Sequence, residues 1–148
     1  MAERLLNDSV IGQVKQVFQN LKNPVEVIFF EAQEGCDYCA DTRQLLEEVT
    51  QISDLLTFSA HDIQQDAELT QLLGVDKTPG FVVVGKEGPQ RLDYGIRFSG
   101  IPAGHEFSSL IHTLLLVSNR DSGLDQKTRN FLAGLKEPVH LQVFVTPT

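Results

Sequence analysis

Two cysteines stand at i, i+3 in Cys36-Asp-Tyr-Cys39, and the chain has no others. Thiols at that spacing suit disulfide exchange or metal ligation. An exchanger needs one thiol that is ionised and exposed, and a second within bonding distance to release the mixed disulfide. The first turn of a helix meets the first need. Its unpaired N–H groups and dipole stabilise a thiolate, lowering the pKa from the free value of about 8.5. Cys36 is therefore expected to open a helix and attack. Cys39, one turn along with its sulfur facing inward, is expected to resolve. Asp37 suits a helix start, but its charge opposes ionisation of the neighbouring thiol. The couple is expected to lie nearer a reductant than a strong oxidant.

Thr78-Pro79 is the second candidate. A proline entering a strand opposite an active-site helix is expected to be cis, although trans is the ordinary state. A cis Pro79 would leave the Thr78 backbone open to pair with an extended substrate segment. Thr78, Pro79, Asp37 and Tyr38 are thus the candidate substrate contacts, and Cys36 and Cys39 the catalytic ones.

The elements that must position these residues follow from periodicity. Val10, Val14, Val17, Phe18 and Leu21 recur at helical spacing, which predicts a helix over 9–22 that stops at Asn23-Pro24. Val25 to Phe30 is nearly continuous in apolar residues, as in a strand buried on both faces. The loop 31–36 leads to a helix carrying Cys39, Leu45, Leu46, Val49 and Ile52, ending near Ser53. A strand over 55–61 closes with Asp62. A short helix over 66–73 stops at Gly74, a good left-handed cap. Phe81 to Val84 begins a third strand, Gly85 to Pro89 reads as a turn, and Arg91 to Phe98 as the returning strand of a hairpin. Gly100-Ile-Pro-Ala-Gly104 opens a helix to about Asn119, with Phe107, Leu110, Leu114 and Val117 inward. Whether Gly100–Gly104 also rims the substrate site or only leads into the helix is open. The fold class is α/β, with a four-stranded mixed sheet flanked by helices.

A further helix is expected over 124–136, and a strand from Pro138. Leu21-Lys-Asn-Pro-Val-Glu-Val-Ile-Phe-Phe30 and Leu135-Lys-Glu-Pro-Val-His-Leu-Gln-Val-Phe144 align without gaps in the same helix-to-strand context. That pattern reads as the start of a second copy of one unit. The expected organisation is a first unit over 1–120, then a linker, helix and first strand of a truncated second unit over 121–148. A lone strand needs an edge, its own unit's or a neighbour's. A homodimer through this C-terminal strand is one way to supply it.

Composition sets limits. At 148 residues, 41% hydrophobic and 22% charged, the chain suits one cored domain. Its net charge of −8 argues against nucleic acid and anionic membrane as partners. There is no apolar stretch of membrane-spanning length and no signal-like N-terminus, so a cytoplasmic location is expected.

Cys-x-x-Cys after a buried strand, with Leu73-Gly-Val-Asp-Lys-Thr-Pro79 before a Val-rich strand, resembles the thioredoxin and glutaredoxin fold. The pattern more closely resembles the protein disulfide oxidoreductases, two-unit glutaredoxin-like proteins. Near counterparts there of Gly100-Ile-Pro-Ala-Gly-His-Glu-Phe107 and Val143-Phe-Val-Thr-Pro-Thr148 carry the resemblance across the whole chain. It implies Cys36 as nucleophile, Cys39 as resolving thiol and Pro79 as a cis-proline. It also implies exchange with protein disulfide substrates, a role in cell redox homeostasis and no cofactor. The tandem layout is also similar to the N-terminal module of the alkyl hydroperoxide reductase flavoprotein. That likeness implies a flavin-dependent disulfide reductase as donor and a peroxiredoxin as partner. The first unit of that module generally lacks the cysteine pair found here.

Some features depart from these families. Gly35 stands where thioredoxins often have an aromatic, and the stretch Phe29-Phe30-Glu31 has no buried Asp to accept a proton. Glu31 is a substitute acceptor or simply a strand-end carboxylate. Despite a glutaredoxin-like Tyr38, Glu31 and Glu34 replace the basic residues that hold glutathione, which argues against a monothiol glutathione mechanism. Among rival classes, a zinc site lacks a second paired motif, because His61, His105, His112 and His140 are scattered. A cysteine-ligated metal or iron–sulfur module, and a folding helper that binds strands with little turnover, complete the alternatives.

Overall fold

Strand β1 (Val25–Glu31) is central to the sheet and buried on both faces, and five of its seven residues are apolar. A computed structural model describes residues 3–146. Met1 and Ala2, and Pro147 and Thr148 that end the Val143–Thr148 phrase, lie outside the described residues. Val25, Val27 and Phe29 join the larger core with α1 (Asp8–Phe18), α2 (Cys39–Thr50) and α4 (His105–Asn119). Ile28 and Phe30 face the opposite way, with Val82 and Val84, toward α3 (Ala67–Leu73). Phe29, Phe30 and Phe81 are fully buried, and each contributes about 1.5–3 kcal/mol relative to exposure.

β1 pairs in parallel with β2 (Leu56–Asp62), from Val25↔Leu56 to Glu31↔Asp62. It pairs antiparallel with β3 (Gly80–Glu87), from Val25↔Gly85 to Phe30↔Gly80. β4 (Gln90–Leu92) and β5 (Arg97–Ser99) both pair with β3. Five strands therefore occupy four positions, in the order β2-β1-β3-β4 with β5 further along β3. The expected mixed α/β sheet is present. Gly74 caps α3 in the left-handed conformation, at φ 64° and ψ 32°. Ser118 in α4 ties this helix to the entry of β1: its Oγ accepts from the Lys22 and Asn23 N–H groups and donates to the Asn23 carbonyl.

The structure differs from the sequence-based expectations at several boundaries. α1 ends at Phe18 rather than 22. Asn20 and Leu21 instead donate to Val17 and Phe18 in tight turns, which still leaves Leu21 buried. β3 runs through Gly85 and Lys86 to Glu87, so the turn is only Gly88-Pro89. Gly88 takes φ 59° there, which a residue without Cβ adopts at little cost. The single returning strand is split in two. Asp93 to Ile96 bulge out because the Asp93 carboxylate accepts from Gly95 N–H at 2.9 Å and from both terminal nitrogens of Arg97. Gly95 stands at φ 80°, a break that alternation alone does not reveal. The Arg97 hydrogen bonds, against some burial, push the Asp93 carboxyl down to about 2.

The larger difference is C-terminal. Helix α5 (Gln126–Ala133) forms, shorter than expected, and buries none of its residues. The expected strand from Pro138 does not form: 138–146 pair with no strand, and Phe144 is 89% exposed. A strand is stabilised by its neighbours, and none meets this segment among the described residues.

Glu26 is the one buried carboxylate of β1. Its oxygens receive a fork from Arg91 at 2.9 and 3.0 Å and a bond from Ser59 at 3.4 Å, with the Lys86 ammonium at 3.8 Å. Burial pulls its pKa upward, but Arg91 and Lys86 outweigh that and hold it below the ordinary 4.5. A depressed carboxyl stabilises the fold above its unfolded value and loses that contribution as pH falls through the folded one. Arg91→Ala should therefore cost about 1–3 kcal/mol at pH 7. Chemical denaturation should show the gap from wild type narrowing as the pH drops below 4.5.

Candidate active site

The C-terminal end of β1 releases the chain into the exposed loop Gln33–Gly35, where Gly35 takes φ 71°. That conformation favours glycine over the aromatic that thioredoxins often carry at this position. Cys36 follows half-buried, and Cys39 is buried at 6% exposure. The two sulfurs are joined in a disulfide, with the Cα atoms 5.4 Å apart. Cys39 packs within the core that holds Phe29 and Phe81, and Cys36 lies against its margin. One sulfur of the pair is therefore reachable and the other is held inside.

The helix begins later than expected. Cys39, not Cys36, is the first residue of α2, and Tyr38 occupies its N-cap position. Cys36 sits in a preceding turn, with its carbonyl accepting from Cys39 N–H at 3.3 Å. Thr42, fully buried, explains the shift. Its N–H and its Oγ both donate to the Tyr38 carbonyl, at 3.0 and 2.6 Å, which starts the helix there. No side chain caps this end, so Cys36 still lies just before helix N–H groups left without intrahelical partners. Asp37 is exposed, and the Tyr38 ring is 60% exposed beside the disulfide.

Glu31 at the end of β1 accepts from Arg43 Nη1 at 2.8 Å, and Arg43 also bonds Glu47 at 3.1 Å. Glu31 is thus a strand-end carboxylate engaged with a cation. Asp62 caps a turn through bonds from Gln64 and Gln65 N–H. Asp66 occupies the N-cap of α3 without bonding its backbone, and pairs instead with His61 Nδ1 at 3.2 Å. Among the described residues no three His, Cys, Asp or Glu side chains converge so as to hold a metal ion.

The peptide bond Thr78–Pro79 is cis. Pro79 immediately precedes Gly80, which pairs with Phe30 on one side and Ser99 on the other. The Thr78–Pro79 loop therefore meets the sheet at the same end of β1 that leads to Cys36. Gly100 donates to the Pro79 carbonyl at 2.8 Å, so the Gly100–Gly104 segment touches this loop as well as leading into α4. The role of Arg97, which donates to the Leu73 carbonyl at 2.7 Å, was not apparent from the sequence. Neither its residue type nor its place in an alternating run signals a contact with the end of α3.

The fold is thioredoxin-like, and its site is a Cys-x-x-Cys disulfide at the end of the central strand. Among curated proteins the chain is similar to the F component of alkyl hydroperoxide reductase from Staphylococcus epidermidis, 29% identical over 144 residues, 97% of this chain and 25% of that protein. Among solved structures it is similar to a protein disulfide oxidoreductase from Aeropyrum pernix, with TM-score 0.80 and 26% identity, covering 97% of this chain and 62% of that one. A domain of alkylhydroperoxide reductase AhpF from Enterococcus faecalis gives TM-score 0.76 and 25% identity, covering 86% of this chain and 60% of that one. The chain spans about a quarter of the length of the curated relatives it matches. No family model matches it.

Gly80 tests how tightly the Thr78–Pro79 loop folds back as it enters β3. A Cβ there would stand 2.5 Å from the Lys77 carbonyl oxygen, a backbone atom that moves only with the loop. Gly80→Ala should destabilise the protein by about 1–3 kcal/mol, measured as a lowered denaturation midpoint.

Proposed function

We propose that this chain is a dithiol protein-disulfide oxidoreductase in which Cys36 attacks and Cys39 resolves. The observation that carries this reading is the unequal burial of the two bonded cysteines, Cys36 partly exposed at the core's margin and Cys39 inside it. In the reduced state the Cys36 thiolate attacks one sulfur of a substrate disulfide. A mixed disulfide forms, and the displaced substrate sulfur leaves as a thiolate that takes up a proton. Cys39, deprotonated, then attacks the Cys36 sulfur. The second substrate thiol is released, and the Cys36–Cys39 bond re-forms. Two electrons pass from the dithiol to the substrate, and a reduced disulfide reductase must return them.

Asp37, Tyr38, Thr78 and Pro79 form the contact surface in this reading. It is supported by the exposure of Tyr38 and by the position of Thr78–Pro79 at the same sheet end. In this reading a flavin-dependent reductase is the donor and a peroxiredoxin one acceptor, an electron-shuttle version of the same chemistry that the likeness to alkyl hydroperoxide reductase supports. The units fall as 1–120 for the redox domain and 121–148 for the start of a second. The repeat of Leu21–Phe30 at Leu135–Phe144 supports that division. The reaction runs in a reducing cytoplasm, where a dithiol pair is kept available. Among the described residues no helix is long and apolar enough to cross a membrane.

Insulin reduction driven by a small dithiol tests the assignment. Cys36→Ser should lower the rate over background by more than about 10²-fold, and Cys39→Ser should accumulate covalent mixed disulfides visible on non-reducing gels. Equal rates for wild type and Cys36→Ser would end it. A strict requirement for glutathione would replace the dithiol route with a monothiol one.

A further inference from the structure

The six residues from Gly74 to Pro79 link α3 to β3 and carry Thr78 to the redox end of the sheet. Both ends of this link are fastened to one short piece of chain. At the upstream end, Arg97 Nε donates to the carbonyl of Leu73, the last residue of α3, at 2.7 Å. At the downstream end, Gly100 N–H donates to the Pro79 carbonyl at 2.8 Å, and Ser99 pairs with Gly80. Between the fastenings, neither the N–H nor the carbonyl of Thr78 has a hydrogen-bond partner among the described residues. A loop with fixed ends and a free amide and carbonyl at Thr78 suits main-chain pairing with an extended segment.

The fastening strand β5 is only three residues long and meets β3 at Gly80↔Ser99, Phe81↔Phe98 and Val82↔Arg97. Three pairs do little to fix a strand against slippage. Two side-chain contacts add to them. Phe98 stacks on Phe81 with ring centroids 4.7 Å apart. The Arg97 guanidinium closes the Asp93–Ile96 bulge through Nη1 and Nη2 to Asp93, at 2.9 and 2.8 Å. With two nitrogens on Asp93 and the third on Leu73, the planar fork is fully oriented, a geometry that a lysine cannot reproduce. One side chain thereby locks the bulge, the register of β5 and the end of α3.

We propose that Arg97 is a positioning residue for substrate capture. Clamped by Asp93, it holds the Leu73 carbonyl and so fixes where Thr78 stands relative to the Cys36–Cys39 disulfide. It touches neither the sulfurs nor the substrate. Its effect is on binding an extended peptide, with little on sulfur chemistry itself. This inference rests on the disulfide-exchange reading.

The test compares wild type, Arg97→Ala and Arg97→Lys on two substrates: a peptide disulfide long enough to lie along Thr78, and a small aromatic disulfide with no peptide backbone. For Arg97→Ala, KM for the peptide should rise about 10-fold while kcat changes less than about twofold, the signature of lost binding common to ground and transition states. The rate with the small disulfide should stay within about twofold of wild type. Arg97→Lys, which keeps charge and length but loses the fork, should fall between the two. If Arg97→Ala does not fold, Asp93→Asn, which removes the anionic partner while keeping its shape, should raise the peptide KM in the same selective way. Unchanged peptide KM in folded variants would overturn the proposal, as would equal losses on both substrates. Inactivity of the wild type on both substrates would instead defeat the exchange reading, and is distinguishable for that reason.

Discussion

Burial of β1 on both faces is the constraint from which the site follows. A strand enclosed above and below and paired on either side reaches solvent only at its ends. Its C-terminal end is also where β3 begins, because β1 and β3 run antiparallel with Phe30 opposite Gly80. The segment leaving β1 and the segment entering β3 must therefore emerge together. One carries Cys36 and the other carries Thr78–Pro79. Their proximity along the sheet edge is a consequence of register, so any change that slips β3 by one residue would separate them and invert every side chain of that strand.

The second consequence concerns the two sulfurs. Residues that alternate along β1 toward the larger core, Val27 and Phe29, form the apolar bed on which the start of α2 rests. A helix seated there buries its first residue, and the turn before it stays at the rim. Cys39 and Cys36 occupy those two places. The difference between them is thus set by where the helix starts, and Thr42 sets that by donating two hydrogen bonds to the Tyr38 carbonyl, one from N–H and one from Oγ. The shift of the helix start from Cys36 to Cys39 strengthens the asymmetry: a cysteine in the turn is freer to be approached than one wound into the helix.

Much of this was legible in the sequence because it is local. The run Val25–Phe30, the Gly74 cap, the Cys-x-x-Cys spacing and Pro79 each carry their meaning within a few residues. The features that were not legible depend on partners far along the chain. The Asp93–Ile96 bulge reads as ordinary alternation until Arg97 is seen to bond Asp93 and Leu73 together. The helix start reads as Cys36 until the buried Thr42 is placed. Glu26 in an apolar strand looks like an interruption, and Arg91 from the far side of β3, with Lys86 and Ser59, makes it tolerable. In each case a polar side chain bonds a group that composition and periodicity cannot locate.

The C-terminal segment makes the same point from the other side. Val25 and Phe30 are fully buried in β1, while the aligned Val139 and Phe144 are 69% and 89% exposed. The two stretches share Leu-Lys-x-Pro-Val and are both apolar at four aligned positions from Val25 to Phe30, with Gln142 standing where β1 has Ile28. Local preference is therefore nearly the same in both, and only one becomes a strand. What separates them is the presence of β2 and β3 on either side of the first, which satisfy its backbone and cover its side chains. An apolar run states that a segment is able to be a central strand; the neighbours that pair with it decide whether it is one.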